Sequence, residues 1–234
     1  MTPPESRVAA VTGAGKGIGR AIAIELARAG MRVALMARNR DDLAAVTLEA
    51  PGSIVVPVDV RAPRQVTAAF MAVTEELGPV DVLVNAAGVY HFGPTLDATE
   101  EAFDRVVDTN LKGTFLTCRS VLGSMIDRRK GHIINIASIA GKVGSAGRSV
   151  YSASKFGVVG LTQSMAEEVR ESGVRVAVVC PGSTNTTFSP KETAGKSREK
   201  MIQPADVAHV IHMLVTSGDN SFISEVVMRP TRKP

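Results

Sequence analysis

Short apolar runs rich in β-branched residues alternate along the chain with longer amphipathic stretches. Residues Arg7–Thr12, Arg32–Ala37, Ser53–Val58, Asp81–Asn85, His132–Ser138, Val174–Cys180 and Phe222–Met228 read as strands. Runs of this length, bounded by Gly, Pro, Asn or Asp, suit strands buried on both faces. Their alternation with helix-length segments predicts a parallel sheet. The expected fold is α/β and doubly wound, a sheet of about seven parallel strands with helices on both faces. Helix punctuation agrees: Gly30 follows the first helix, Pro63 opens the third, and Pro204 with Asp206 opens the last.

No internal repeat or low-complexity linker interrupts the pattern, so one domain over residues 1–234 is expected. The one long irregular stretch, residues 183–203, is polar and rich in Lys, Thr, Ser and Glu. Such a stretch among otherwise short connections is expected to be a substrate lid or binding loop.

The net charge of +4 raises the question of a nucleic-acid partner, but the basic residues are scattered rather than gathered into a stripe. Arg128, Arg129 and Lys130 form the densest run. They sit where a helix should end before Gly131, and cations there oppose the helix dipole favourably. The tail Arg229–Pro234 reads as a solvated terminus. No apolar run approaches the ~20 residues of a membrane span. Cys118 and Cys180 lie in apolar stretches without Cys-x-x-Cys spacing, and the amino terminus is unlike a signal. Both are expected to be reduced core residues of a cytoplasmic protein. His209 and His212 stand three apart on the last helix without a third ligand at metal spacing, so both read as structural and no metal is expected.

The residues richest in chemistry are Tyr151 and Lys155, in the run Tyr-Ser-Ala-Ser-Lys. Four residues is about one helical turn, so phenol and ammonium share a face. A neighbouring cation favours phenolate and makes a tyrosine a usable acid/base near neutrality. After the first strand comes Thr12-Gly13-Ala14-Gly15-Lys16-Gly17-Ile18-Gly19, then an apolar helix from Arg20 to Ala29. Strand, glycine turn and helix in that order suit a dinucleotide, whose pyrophosphate sits at the helix amino terminus. The second strand ends Met36-Ala37-Arg38 with no carboxylate. Arg38, with Lys16 as a second cation, suits a 2′-phosphate, which predicts NADP(H) over NAD(H); the alternative has Asp41 or Asp42 on the ribose.

Together these motifs resemble the short-chain dehydrogenase/reductase family in its compact form, over nearly everything from Arg7 to Gly182. Thr12–Gly19 resembles the family's glycine motif, Asp59-Val60 its adenine-side pair, and Asn85-Ala86-Ala87-Gly88 its motif after the fourth strand. Asn110 matches the helix asparagine, Ser138, Tyr151 and Lys155 the catalytic residues, and Pro181-Gly182 the nicotinamide-side turn. Ala86 stands where the family often has a second Asn. The end of the chain has Glu225–Pro230 in place of Asp-Gly-Gly.

The resemblance implies a Rossmann-like reductase of a ketone or aldehyde, reversible to alcohol oxidation, resembling 3-oxoacyl-carrier reductases and carbonyl reductases. Tyr151 is implied to donate the proton, Ser138 to hydrogen-bond the carbonyl oxygen, and Lys155 to lower the Tyr151 pKa and bind the ribose. Asn110 is implied to kink its helix and hold a water linking Lys155 to solvent. Thr184 and Thr186 are implied to contact the nicotinamide amide or pyrophosphate, Thr186 being favoured. His91 and Phe92 are candidates for the substrate pocket, as is the small-residue segment between Ser138 and Val150. A homo-oligomer, tetramer or dimer, is implied through helices beginning near Thr99 and Val150. Two alternatives stay open: a nucleotide sensor without turnover, and a 3-hydroxy acid dehydrogenase working oxidatively.

Overall fold

The computed structural model describes residues 7–188, 195, 197–218 and 221–234. Seven parallel strands lie in the order β3-β2-β1-β4-β5-β6-β7. They are β1 (Val8–Thr12), β2 (Arg32–Ala37), β3 (Ile54–Pro57), β4 (Val82–Asn85), β5 (Gly131–Ile136), β6 (Val174–Pro181) and β7 (Glu225–Met228). Every strand expected from the apolar pattern is present. β7 is shorter than predicted because its ladder with β6 begins only at Ser224 and Glu225, which leaves Phe222 and Ile223 exposed.

Alternate residues of each strand feed two cores, as the two-residue period of a strand requires. Ala9 and Val11 pack with Val33, Leu35, Val82 and Val84 under α1 (Gly17–Arg28), α2 (Arg40–Thr47) and α7 (Pro204–Thr216). Val8 and Ala10 pack with Met36, Leu83 and Ile133 under α3 (Pro63–Leu77), α5 (Gly113–Asp127) and α6 (Ser149–Glu168). α4 (Glu100–Val107) rests on α6, capped by the Thr99 hydroxyl. α3 and α7 start at Pro63 and Pro204, and Gln203 with Asp206 closes a reciprocal capping box. α1 begins at Gly17, three residues before its expected start, because the glycine segment itself supplies the first turn.

The basic run after α5 is more than a dipole partner. The Arg128 guanidinium donates to Asp81 Oδ1 at 2.8 Å and to the Val80 carbonyl, and Asp81 Oδ2 accepts from the Val8 N–H at 3.0 Å. These bonds tie the start of β1 to the end of α5. Cys118 and Cys180 are buried and unpaired, and burial pushes the Cys118 thiol pKa up to about 12, so it stays protonated. No helix among the described residues is long and apolar enough to cross a membrane.

A row of polar side chains crosses the sheet one position before its active edge. Thr12, Asn85 and Asn135 are register partners on β1, β4 and β5. Asn85 Nδ2 donates to Asn135 Oδ1 at 3.0 Å, Asn135 Nδ2 to Thr162 Oγ1 on α6 at 2.9 Å, and Thr117 Oγ1 on α5 to Asn85 Oδ1 at 2.7 Å. Thr12 Oγ1 accepts from the Ala86 and Ala87 N–H groups. All five side chains are buried, so each bond lost leaves a partner without water to replace it. Asn135→Leu removes the oxygen acceptor of the Asn85 amide, which keeps only the weaker Cys118 Sγ at 3.3 Å among the described residues, and the donor to Thr162 Oγ1. We expect a loss of about 2–4 kcal/mol in urea unfolding, against less than ~1 kcal/mol for a substitution at exposed Leu48.

Candidate active site

The strand order reverses between β1 and β4, which leaves a crevice beyond their carboxyl ends, the place where such sheets take ligands. A cavity of about 700 Å³ opens there and runs across to the ends of β5 and β6. At one end the glycine turn forms its floor. Gly13 has φ +68°, and a Cβ there would lie 2.8 Å from the backbone of Ala86 and Ala87. A Cβ on Gly19 would lie 2.3 Å from the Gly13 carbonyl oxygen. Side chains at either position would force β1, β4 and α1 apart.

α1 begins at Gly17 with no side-chain cap and no acid in its first turn. Gly17, Ile18 and Gly19 of its first turn border the cavity, and no Asp or Glu side chain does, among the described residues. Those features fit an anion at the helix terminus.

Most of the residues expected to hold a cofactor meet here. Gly13, Lys16, Gly17, Ile18, Gly19, Ala86, Gly88, Pro181, Gly182, Thr184 and Thr186 line the cavity with Ser138, Tyr151 and Lys155. Thr186 faces the glycine turn, its methyl group 3.2 Å from where a Gly17 Cβ would be, whereas the Thr184 hydroxyl is turned back onto the Gly182 carbonyl at 3.0 Å. Asn85 and Ala87 stand behind the wall, Asn85 in the polar row. Gly15 abuts Asp42 Cβ, and Val60 is buried against the start of α5.

The cationic end lies beyond β2. Arg38 is exposed at the strand's end, and its charge helps to hold the Asp59 carboxyl below its ordinary range, after the larger effect of the hydrogen bonds from Arg61. Lys16 Nζ pairs with Asp42 Oδ2 at 3.0 Å, and Asn39 Oδ1 accepts from the Asp41 and Asp42 N–H groups. The Asp42 carboxylate is thereby already neutralised.

At the other end, α6 carries Tyr151 and Lys155 on one face, 7% and 4% exposed. Lys155 Nζ lies 5.8 Å from the Tyr151 ring centroid and donates to the Ile136 carbonyl at 2.8 Å. Burial brings its pKa down to about 8. Ser138 caps the short turn that follows β5, its Oγ accepting from the Ala140 N–H at 3.2 Å. Among the described residues the hydroxyl proton's acceptor is the Pro181 carbonyl, at a long 3.5 Å, so capping leaves it available to a ligand. A cap and a ligand-facing hydroxyl are therefore the same residue.

Asn110 is 1% exposed and sits in a π-helical turn, Asp108–Lys112, between α4 and α5. The wider turn swings its side chain inward. Oδ1 accepts from the Val89 N–H at 2.8 Å, while Nδ2 donates to the Val89 carbonyl and to Ser154 Oγ, each at 3.0 Å. A π turn thus interrupts the helix at the residue expected to kink it. The side chain is engaged with protein groups and fastens the segment after β4 to the residue preceding Lys155.

Several lining residues were not foreseen. Tyr90 and Phe188 surround Tyr151, with ring centroids 4.6 Å and 6.1 Å from it. His91 and Phe92, the residues expected in their place, do not border the cavity; Phe92 packs on Gly147 instead. The segment between Ser138 and Val150 borders the cavity, as expected, through Ile139, Ala140 and Arg148, while its glycines stand back: a Gly141 Cβ would meet the Lys155 carbonyl at 2.6 Å. Alternation one residue out, from His91 to Tyr90, was not readable without knowing which way the chain leaves β4. The tail also departs from expectation, since Arg229, Pro230, Arg232, Lys233 and Pro234 border the cavity. Within the anticipated lid at 183–203, residues 189–194 and 196 lie outside the described residues. Among the described residues no cluster of His, Cys, Asp and Glu could hold a metal; His212 faces Glu25 at 3.4 Å.

The short chain dehydrogenase profile matches residues 7–197. An uncharacterised oxidoreductase of Staphylococcus aureus is 34% identical over 98% of this chain and 100% of its own. A protein of Streptomyces virginiae named for ketoacyl reduction in the monensin polyketide synthase is 44% identical, over 83% of this chain and 77% of its own. Among solved structures, a metagenomic short-chain oxidoreductase in complex with NADP superposes with TM-score 0.85 at 40% identity, covering 97% of this chain and 98% of that one. An actinorhodin polyketide ketoreductase variant with NADPH superposes with TM-score 0.89 at 35% identity, covering 97% of each chain. The parallel sheet, the glycine turn at its switch point and the profile match over most of the chain agree, and this protein belongs to the short chain dehydrogenase family of oxidoreductases.

Proposed function

We propose that the chain is an NADP(H)-dependent carbonyl reductase, reversible to alcohol oxidation, with Tyr151 as the proton donor. The observation that carries this reading is one cavity shared by an uncapped helix terminus behind a glycine turn and by Ser138, Tyr151 and Lys155. Its relatives named for ketoacyl reduction, or solved with NADP or NADPH, support the same reading.

The α1 amides and Thr186 would hold the pyrophosphate, and Arg38 with Lys16 the 2′-phosphate. The nicotinamide, when bound, supplies the hydride. As negative charge grows on the carbonyl oxygen, the Ser138 hydroxyl donates to it, and the Tyr151 O–H passes its proton across. The Lys155 ammonium, fixed by the Ile136 carbonyl, stabilises the phenolate that remains. Asn110 acts as a positioning residue through Ser154 and Val89. Tyr90 and Phe188 dry the cavity around Tyr151 and favour a substrate with an apolar body near its carbonyl. The chain would work as one domain, and exposed Phe103 on α4 and Phe156 on α6 offer an apolar face for a homo-oligomer.

The reading is tested by following NADPH oxidation against 3-oxoacyl thioesters, vicinal diketones and cyclic ketones. Wild type should turn over at least one class. Tyr151→Phe should bind NADPH as wild type does and lose ~10²–10⁴-fold in kcat. Undiminished NADPH binding with no turnover by wild type on any class would favour a sensor instead.

Cofactor choice is tested at Arg38. Replacing it by Asp removes a charge-assisted bond and adds a repulsion, so kcat/KM with NADPH should fall ~10–100-fold while that with NADH holds or rises. An unchanged ratio would remove Arg38 from the site.

Lys155 makes a prediction about pH whose sign follows from burial. Its charge is needed for reduction, so kcat/KM should decline as pH rises through about 8. Below about 8 the full cost of burying the cation is present, and from there to the ordinary lysine value of ~10.4 rising pH relieves it, because the unfolded chain keeps a proton that the folded one gives up. Lys155→Met should therefore abolish reduction yet melt at or above the wild-type temperature at pH 7. That advantage should shrink towards pH 10.

A further inference from the structure

Among the described residues, Lys16 pairs with Asp42, Arg128 with Asp81, Arg61 with Asp59, and Lys142 with Glu225 at 2.8 Å. Other cations, Arg28 and Arg40 among them, are dispersed without a carboxylate at ion-pair distance, whereas the last six residues gather three beside the cavity. Arg229-Pro230-Thr231-Arg232-Lys233-Pro234 holds three cations and no acid. No carboxylate among the described residues pairs with Arg229, Arg232 or Lys233, and all three are exposed.

The fold delivers this segment to the site. β7 runs parallel to its neighbours, so the chain leaves it at the same edge of the sheet as the glycine turn. The Gly182 N–H donates to the Met228 carbonyl at 2.9 Å, and a Gly182 Cβ would lie 3.2 Å from both Met228 O and Pro230 Cδ. The tail is thus held against the Pro181-Gly182 turn, beside Ile139, which follows Ser138. Prolines at 230 and 234 restrict its backbone, which lowers the entropy cost of presenting charge there. Arg229, Arg232 and Lys233 border a cavity that no Asp or Glu side chain borders among the described residues. Cations at the rim of such a cavity, without a carboxylate side chain paired to them among the described residues, attract an anion. The far end already has Lys16, Arg38 and a helix terminus for the cofactor's phosphates, so the tail's charge is left for the other ligand.

We propose that the segment Arg229–Lys233 is an anion-recognition element for the substrate, and that the carbonyl compound reduced here carries a carboxylate or phosphate remote from its carbonyl group. This inference rests on the reductase reading. It joins an aromatic wall around Tyr151 to a cationic rim, which suits a substrate apolar near the reacting carbon and anionic at its far end.

The test compares matched substrates. 5-Oxohexanoate is set against its neutral ethyl ester, and 3-oxobutyryl-CoA against the neutral N-acetylcysteamine thioester, with wild type and with Arg229→Gln/Arg232→Gln/Lys233→Gln. The expected result is a fall of about tenfold in the anionic-to-neutral ratio of kcat/KM, carried by KM and diminished by salt. A fall confined to the oxohexanoate pair identifies a carboxylate, and one confined to the CoA pair a phosphate. Arg232→Glu alone, at an exposed position, should move the same ratio in the same direction and guards against a folding defect in the triple variant. An unmoved ratio in both pairs overturns the inference and leaves the reductase intact. So does a loss that lies wholly in NADPH affinity, read from its fluorescence, since the tail would then serve the cofactor. Failure of wild type on every carbonyl would instead sink the reductase reading, and this inference with it.

Discussion

The buried row of Thr12, Asn85 and Asn135 is the constraint on which the site depends. In the interior of a parallel sheet, apolar contacts alone specify register weakly, because one Val or Ile packs much like the next. Amides and hydroxyls do not have that freedom, since each misplaced partner costs a desolvated polar group. Here they level β1, β4 and β5 one residue before their active ends, and reach out to α5 and α6 through Thr117 and Thr162. The residues immediately beyond that row are the glycine turn, the Ala86–Gly88 segment and the turn that Ser138 caps. Because α6 is anchored by Thr162, the same network also sets the depth of Tyr151 and Lys155, about three and two turns earlier on the helix.

The site itself departs from what stability would choose. An ammonium is buried at Lys155, donating to the Ile136 carbonyl. A π-turn interrupts the helix at Asn110, and α1 begins without a cap. Each costs local stability, and each leaves something a ligand can use: a charge in a low dielectric, an asparagine fastened to two segments, and amide groups with no internal partner. The two large apolar cores on either side of the sheet offset those costs, so the exceptions are confined to one edge.

The rest of the lining comes from other parts of the chain. Tyr90 and Phe188 stand around Tyr151 and the tail borders the same cavity beside Gly182, all from segments outside the helices and strands. Such segments can vary without disturbing the polar row or the glycine turn. That separation allows one chemical apparatus to serve different carbonyl compounds.

Much was legible in the sequence because its signals are local. Short continuous apolar runs separated by helix-length stretches specify a parallel sheet, and Gly13, Gly17 and Gly19 between strand and helix specify a close backbone approach. Tyr151 and Lys155 share a face at one helical turn whatever surrounds them. What the sequence could not determine depends on direction and on contacts between distant segments. It did not show that Tyr90 rather than His91 faces the cavity, which depends on how the chain leaves β4. Nor did it show that the Gly141 side of the following segment packs on Lys155 instead of opening a pocket. The same holds for Arg128, read as a dipole partner until Asp81 was brought beside it, and for the basic tail, read as solvated. A run of Arg, Pro and Lys has no periodicity to betray a role. Only the parallel pairing of β7, which delivers the tail to the edge where the other strands end, places its charge beside the cavity.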